Sequence, residues 1–425
     1  MGDAGPQDAS ASVPGLSIPL PPSPIPSSPT LLSHVRALTP AAWALLIGTF
    51  VNRFGSFVIA FLVLYVAQRG YSATQAGAAL SLYGIGSILA ALAGGHVADH
   101  FGRRNAIAAS MFASAAVMLL LSRAESLPAI LALSGLAGFA AELYRPASSA
   151  LVADLTPAGE RVTAFALYRL AVNAGTSIGP AVAGLLAQRS FTWLFVGDAI
   201  TSVAYGVVAL SAFPGGRPAA HEVSGTARAV RTMLADRAFA RVIAASLAIA
   251  LIFQQAYSTL PLHLRAAGYT PSVYGLLMGL NGALIITLEL AVISYTRRLP
   301  TRPVLAAGLL LAGAGFGLVG VAHGLPLLAL AIVVWTFGEM TFAPVSAAHV
   351  ADLAPADMRA RYQGVYSFTF AFGLAAAPLL GTALYSLSPN AVWFACLALG
   401  AAGAIIMLRP IGVRDAPAGF VGDGA

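Results

Sequence analysis

The chain has 425 residues, of which 58% are hydrophobic and only 9% charged, where a soluble domain carries about 25% charged residues. Its mean hydropathy of +0.81 excludes a water-soluble globule of this length and leaves a polytopic membrane protein. The net charge of +7 would suit nucleic acid only on a soluble basic domain, so no nucleic-acid partner is expected. All 23 basic residues are arginine, and with the excess of alanine and glycine this reads as the bias of a GC-rich genome.

In chain order, residues 1–38 come first and contain "PGLSIPLPPSPIPSSPT". That stretch is too polar and proline-rich for a secretory signal and reads as a disordered cytoplasmic tail. Crossing a bilayer takes about 20 apolar residues. Runs of that kind fall near 41–67, 73–98, 105–122, 128–152, 162–187, 191–213, 242–264, 272–295, 303–322, 325–350, 362–385 and 390–409. The expected organisation is a six-helix bundle over 39–213, a cytoplasmic linker over 214–241 with an amphipathic helix near 226–240, a second bundle over 242–410 and a short cytoplasmic tail over 411–425. The single cysteine, Cys396, lies inside an apolar run and has no intramolecular partner.

Arginine placement sets the expected orientation. With the N-terminus inside, sixteen arginines fall on the cytoplasmic side, and four, Arg69, Arg123, Arg189 and Arg265, fall outside. Both termini are therefore expected in the cytoplasm, with the protein in the plasma (inner) membrane.

The chain is also written twice. "VADLTPAGER" at 152–161 recurs as "VADLAPADMR" at 350–359, and the same offset of 198 residues aligns Gly70 with Gly268, Gly77 with Gly275, Pro146 with Pro344, Tyr168 with Tyr366 and Pro180 with Pro378. Two six-helix repeats of one orientation imply a pseudo-twofold axis along the membrane normal, with a substrate path at the repeat interface.

The stretch "GGHVADHFGRRN" at 94–105 admits two readings. His96 and His100 share a helical face beside Asp99, a spacing like that of inverted zinc peptidases, but a metallopeptidase needs a third ligand and a wet cleft. The flanking residues fit a tight turn between two membrane helices, with Gly102 permitting the turn and Gly95 allowing close helix packing. Gly95, Asp99, Gly102, Arg103 and Arg104 match G-x-x-x-D-x-x-G-R-R/K, and with twelve spans in a six-plus-six repeat the chain resembles the major facilitator superfamily. The resemblance covers nearly all of residues 38–410. It implies an all-α integral membrane fold of twelve helices in two parallel six-helix repeats, and a transporter rather than an enzyme. It also implies that Asp99 and the arginines latch the halves together on the cytoplasmic side in the outward-facing state, with Asp154 a candidate partner of Arg103 or Arg104. The second-half counterpart, "SYTRRLPTR" at 294–302, keeps its arginines but has lost the aspartate and glycine.

Span 5 carries "AGTSIGPAVAG" at 174–184. Through Gly175, Gly179 and Pro180 it resembles the G-x-x-x-G-P-x-x-G-G motif of proton-coupled antiporters, with Ala183 in place of one glycine. Small residues permit close helix approach and proline bends a helix, so simple packing is the other reading. The early span-4 arginine of proton-coupled members is absent.

Seven charged residues fall well within the spans: Arg53, Glu142, Arg145, Arg169, Asp198, Glu289 and Glu339. Facing lipid, each costs about 3 kcal/mol and the set roughly 20, above a stability margin of about 5–15 kcal/mol. They must pair or face a wet cavity. Arg53 faintly resembles, with Phe54, the E-x-x-E-R-F motif of proton-dependent oligopeptide transporters, although Thr49 and Asn52 replace its glutamates. Arg53 is expected either to bind an anionic group or to pair with a carboxylate. Glu142 and Arg145 share a helical face and can neutralise each other. Glu142 and Glu339 are the leading proton-carrier candidates, ahead of Asp198, and Asn173, Gln254, Gln255, Tyr257, Asn281 and Trp335 are the expected substrate-binding wall.

The function these readings favour is secondary active transport by alternating access: export of small amphipathic drug-like molecules or metabolites in exchange for protons. The alternative is proton-symport uptake of a small anionic or peptide-like solute, and a more remote one is a non-transporting membrane sensor. No cofactor or metal is expected. The partners are the lipid bilayer, a small-molecule substrate and protons, and the protein is expected to be a monomer.

Overall fold

The computed structural model describes residues 38–157, 160–215, 236–355 and 358–409, together with residues 2 and 233. The N-terminal tail, the C-terminal tail and residues 226–232 and 234–235 of the proposed 226–240 helix lie outside the described residues, and its last four residues belong to span 7. Among those described there are twelve helical segments long and apolar enough to cross a membrane. They are span 1 (Pro40–Gln68), span 2 (Ala73–Phe101), span 3 (Arg103–Arg123), span 4 (Leu127–Asp154), span 5 (Thr163–Arg189) and span 6 (Thr192–Ala212). Span 7 (Arg237–Ala266), span 8 (Pro271–Thr296), span 9 (Thr301–Val319), span 10 (Leu325–Leu353), span 11 (Arg361–Leu387) and span 12 (Ala391–Leu408) complete the set. Span 7 starts five residues before the apolar run does, because Asp236 caps its first turn by accepting from the Phe239 N–H at 3.0 Å, a common helix-start device.

The repeat seen in the sequence is a repeat of packing. Span 2 lies on span 4 as span 8 lies on span 10, span 3 on span 6 as span 9 on span 12, and span 1 on spans 5 and 6 as span 7 on spans 11 and 12. Turns repeat as well: Gly70 and Gly268 both adopt positive φ, 88° and 84°, a conformation that glycine alone enters without strain. Gly102, at φ 83°, makes the sharp turn between spans 2 and 3.

Three spans are interrupted near mid-depth. Span 1 breaks at Gly55–Ser56, between helices Pro40–Phe54 and Phe57–Gln68. Span 7 passes through a 3-10 turn at Gln254–Ala256 before Thr259–Ala266. Span 4 bends at Leu143–Tyr144, ahead of Pro146 in the first turn of Arg145–Asp154. Broken backbone is tolerated at membrane depth only where protein or a wet cavity satisfies it. At span 1 the Asp198 carboxylate of span 6 accepts from the Val58 N–H at 3.5 Å. At span 7 the Gln255 side chain donates to the Leu251 and Ala377 carbonyls at 3.0 and 3.2 Å and accepts from Thr259 at 2.8 Å.

The two halves touch most extensively along two seams, span 2 on span 11 and span 5 on span 8, and the second half of span 1 also meets span 7 and Tyr274 of span 8. Both seams are tight toward the arginine-poor end of the bundle, where Thr74 meets Ser386 at 3.2 Å and the Ser81 hydroxyl accepts from the Leu379 N–H at 3.0 Å. Ser272 donates to the Gly184 carbonyl at 3.3 Å and bonds Gln188. Toward the arginine-rich end the seams part: a β-carbon on Gly95 or Gly364 would meet nothing within 4 Å. The bundle is closed at one end and open at the other.

Candidate functional site

Arg53 ends the first half of span 1, and Glu142 ends the first half of span 4. A cation is favoured at a helix C-terminus, whereas a carboxylate there needs compensation, and two guanidinium groups supply it. Arg53 donates to both Glu142 oxygens, Nη1 to Oε1 at 3.0 Å and Nη2 to Oε2 at 3.4 Å, and Arg145 Nη1 donates to Oε2 at 2.9 Å. The Arg53 and Glu142 side chains are 13% and 11% exposed, while that of Arg145 is 61% exposed. Arg53 also stands 5.5 Å from the Tyr144 ring centroid, within reach of a cation–π contact. Tyr144 packs edge-on against Tyr205, whose hydroxyl meets Thr49 and Ser148 at 3.2 and 3.3 Å.

The span-5 glycines let this corner assemble. A β-carbon on Gly175 would come within 2.7 Å of Arg53 Cβ, and one on Gly179 within 2.6 Å of the Phe54 carbonyl oxygen. Span 5 thus lies directly against the break in span 1, and Arg53 is seated over Gly175.

Two adjoining cavities run between the halves. One, of about 210 Å³, is lined by Arg53, Ser56, Gln254 and Leu374 together with Thr176, Pro180 and Tyr257. The other, of about 230 Å³, shares Thr176, Pro180 and Tyr257 and continues to Arg169, Asn173, Asn281, Glu289 and Glu339, with Met278 and Met340 on its apolar side. In the second cavity the Asn281 amide donates to Glu339 Oε2 at 3.1 Å and to Thr336 Oγ1 at 3.0 Å. Glu339 has no ion-pair partner among the described residues.

The seven in-span charges are therefore all accounted for. Three form the Arg53–Glu142–Arg145 triad, Asp198 caps a broken helix, and Arg169, Glu289 and Glu339 line one cavity. Of the expected substrate wall, Arg53, Asn173, Gln254, Tyr257 and Asn281 line the cavities. Gln255 and Trp335 do not. Gln255 is 4% exposed and serves the span-7 break, and Trp335, 2% exposed, stacks on Phe316 with ring centroids 4.0 Å apart. In this arrangement both are buried packing residues away from the expected substrate wall. Among the residues that sequence reasoning missed, Thr176 lies inside the quoted span-5 motif and Tyr144 between Glu142 and Arg145.

At the arginine-rich end, Arg103 pairs with Asp154 and donates to the Ala150 carbonyl at 3.1 Å. Both partners belong to the first half. Arg104 donates to the Asn105 side chain at 3.4 Å, and Asp99, His96 and His100 are exposed. Among the described residues the latch between halves that the resemblance implies is not made in this open arrangement, and Gly95 faces space rather than a packed helix. The two imidazoles stack at 6.4 Å, and among the described residues no group of three or more metal-ligating side chains gathers.

The sequence profile of the Major Facilitator Superfamily matches residues 45–300 and 268–420. The chain belongs to that superfamily. It is a multi-pass membrane transporter and not an enzyme. The multidrug resistance protein MdtH of Aeromonas hydrophila is 27% identical over 387 residues, covering 88% of this chain and 95% of its own. A Na(+), Li(+), K(+)/H(+) antiporter of Planococcus maritimus is 27% identical over 364 residues, covering 78% and 86%. An MFS-type transporter of Bacillus subtilis, YqjV, is 26% identical over 343 residues, covering 79% and 84%. Among solved structures, a peptide transporter POT in complex with sulfate superposes with a TM-score of 0.73 at 19% identity, covering 90% and 97% of the two chains. A D-xylose–proton symporter superposes at 0.70 with 15% identity, covering 89% and 98%. At such identities the structural likeness establishes the fold alone, and the superfamily assignment accounts for its two-repeat architecture.

Proposed function

We propose that this transporter exports small amphipathic solutes, cationic ones among them, in exchange for protons, with Glu339 as the proton carrier. The observation that carries the proposal is the setting of Glu339. It lies in a cavity between the halves, its hydrogen-bond partner among the described residues is the neutral Asn281 amide, and gaining or losing a proton breaks no ion pair. Glu142 differs, because protonation there would break bonds to two guanidiniums. Its role in this account is to hold Arg53 at the cavity wall. Methionine beside carboxylates suits a cation with an apolar body, since thioether side chains adapt to varied shapes. The MdtH relatives, named for multidrug resistance, and the cation/H(+) antiporter relative support this direction.

With the arginine-rich end in the cytoplasm, the open end faces inward and the solute enters from inside. Inward movement of one proton supplies about 2.3 kcal/mol per 100 mV. The halves then rock about the cavity to present it outside.

The test uses proteoliposomes with an imposed proton gradient and a panel of lipophilic cations and anionic metabolites. Proton flux opposite to solute flux is expected, and Glu339→Gln removes the dependence of transport on the gradient while leaving gradient-independent solute exchange. Arg53 on the cavity wall favours the second reading, uptake of an anionic solute. Co-movement of protons with an anion would establish that reading and overturn export.

A further inference from the structure

Spans 5 and 8 run antiparallel, and their contacts follow one register. Counting from the closed end, Gln188 meets Ser272, Gly184 meets Gly275, Ala181 meets Gly279, and Ser177 meets Gly282. The steps are four, three, four along span 5 and three, four, three along span 8, which is the spacing of one stripe on each helix. Beyond Ser177 and Gly282 the helices part, and the cavity of about 230 Å³ opens between them. Continuing the same steps, the next facing positions are Ala174 with Ile286 and then Leu170 with Glu289. Arg169, one residue from the stripe, reaches the same level on its long side chain. Arg169 and Glu289 line the same cavity from opposite halves, and among the described residues neither has a hydrogen-bond or ion-pair partner.

The second seam follows the same rule. Ser81 meets Leu379, and a β-carbon on Gly84 would come within 2.6 Å of the Ala375 nitrogen. Further steps bring Ala91 to Phe368, and Gly95 and Gly364 each lie about one turn beyond that pair. Phe368 is 50% exposed, and both glycines face open space.

We infer that Arg169 and Glu289 form the ion pair that holds the arginine-rich end shut when the halves rock, spans 5 and 8 zipping onward in their existing register. The inference rests on the alternating-access part of the proposed function. The open end leaves the two charges apart across a wet cavity. Closure removes that water and brings them together, so the pair favours the closed state over the open one. An ion pair desolvated at an interface carries coupling that a surface pair does not.

The experiment monitors closure directly in the full-length protein in lipid, by disulfide crosslinking of Ala91→Cys with Phe368→Cys on the other seam. Gln188→Cys with Ser272→Cys reports the opposite end, and single-cysteine forms serve as controls. Closure in the parent gives 91–368 crosslinks. Arg169→Glu and Glu289→Arg each lower the rate of that crosslinking about tenfold, equivalent to about 1.4 kcal/mol, and raise the 188–272 crosslink. The exchanged double variant restores both. If the charge reversals do not reach the membrane, Arg169→Gln and Glu289→Gln serve, and their double variant is then no worse than either single.

Unchanged 91–368 crosslinking in the singles overturns the inference while leaving alternating access standing. So does a double variant as impaired as the sum of the singles, or a loss seen with Glu339→Gln but not Glu289→Gln. No 91–368 crosslink in the parent under any gradient or solute would instead overturn alternating access itself.

Discussion

Replacing Glu142 by glutamine tests whether the triad is the anchor of the first half. The substitution keeps the shape and removes the charge that both arginines share. Arg53, with a side chain 13% exposed, loses its bonds at 3.0 and 3.4 Å to a carboxylate. Stranding a buried charge in this way costs about 3–5 kcal/mol. Arg145 has a side chain 61% exposed, and an ion pair so open to solvent is worth about 0–1 kcal/mol. Arg53→Gln should cost less than Glu142→Gln, since the remaining carboxylate keeps Arg145. The expected order of destabilisation is thus Glu142→Gln, then Arg53→Gln, then Arg145→Gln, with the Arg53→Gln/Glu142→Gln double variant recovering much of the loss. The assay is the surviving monodisperse fraction after stepwise heating of detergent-solubilised protein. The reasoning is refuted if Arg145→Gln is the most damaging single change, or if the double variant is no more stable than Glu142→Gln.

Other consequences follow from the helix breaks and the seams. Asp198→Ala removes the acceptor for the Val58 N–H and should cost about 1 kcal/mol, the usual worth of a helix cap. Asp198→Asn keeps an oxygen there and should cost less in the same heating assay. Gly275→Ala would place a β-carbon 2.6 Å from the Pro180 carbonyl oxygen, forcing spans 5 and 8 apart at their closed end. The rate of 188–272 crosslinking should fall while total expression stays near that of the parent, and unchanged crosslinking would show that the seam has more slack than its contacts indicate.

The sequence carries the architecture because the bilayer leaves few solutions: apolar runs of the required length are helices, and the 198-residue repeat orders them. Charge inside the spans was an equally strong signal, since Arg53, Glu142, Asp198 and Glu339 cannot face lipid cheaply, and each has a partner or a cavity. Partners were harder to read. Arg145 is visible beside Glu142 at helical spacing, but the Arg53–Glu142 bond joins residues 89 apart and depends on two broken helices meeting. Gln255 and Trp335 were misplaced for a related reason: a polar or aromatic residue in a span has the same sequence signal whether it faces a cavity or repairs a helix break. The break at Gln254–Ala256 is announced by Pro261, in the first turn of the helix that follows, but a proline that starts a new helix does not mark Gln255 as the residue that satisfies the break.

The central claim, that one end of the bundle closes as the other opens, is tested most directly by inter-spin distances in lipid nanodiscs. One spin-label pair at Phe101 and Leu299 spans the halves at the arginine-rich end, and another at Arg189 and Ala267 spans them at the arginine-poor end. All four positions are exposed. On shifting pH or adding a transported solute, the 101–299 distance should shorten while the 189–267 distance lengthens. Distances that change in the same direction at both ends, or at neither, would contradict the account.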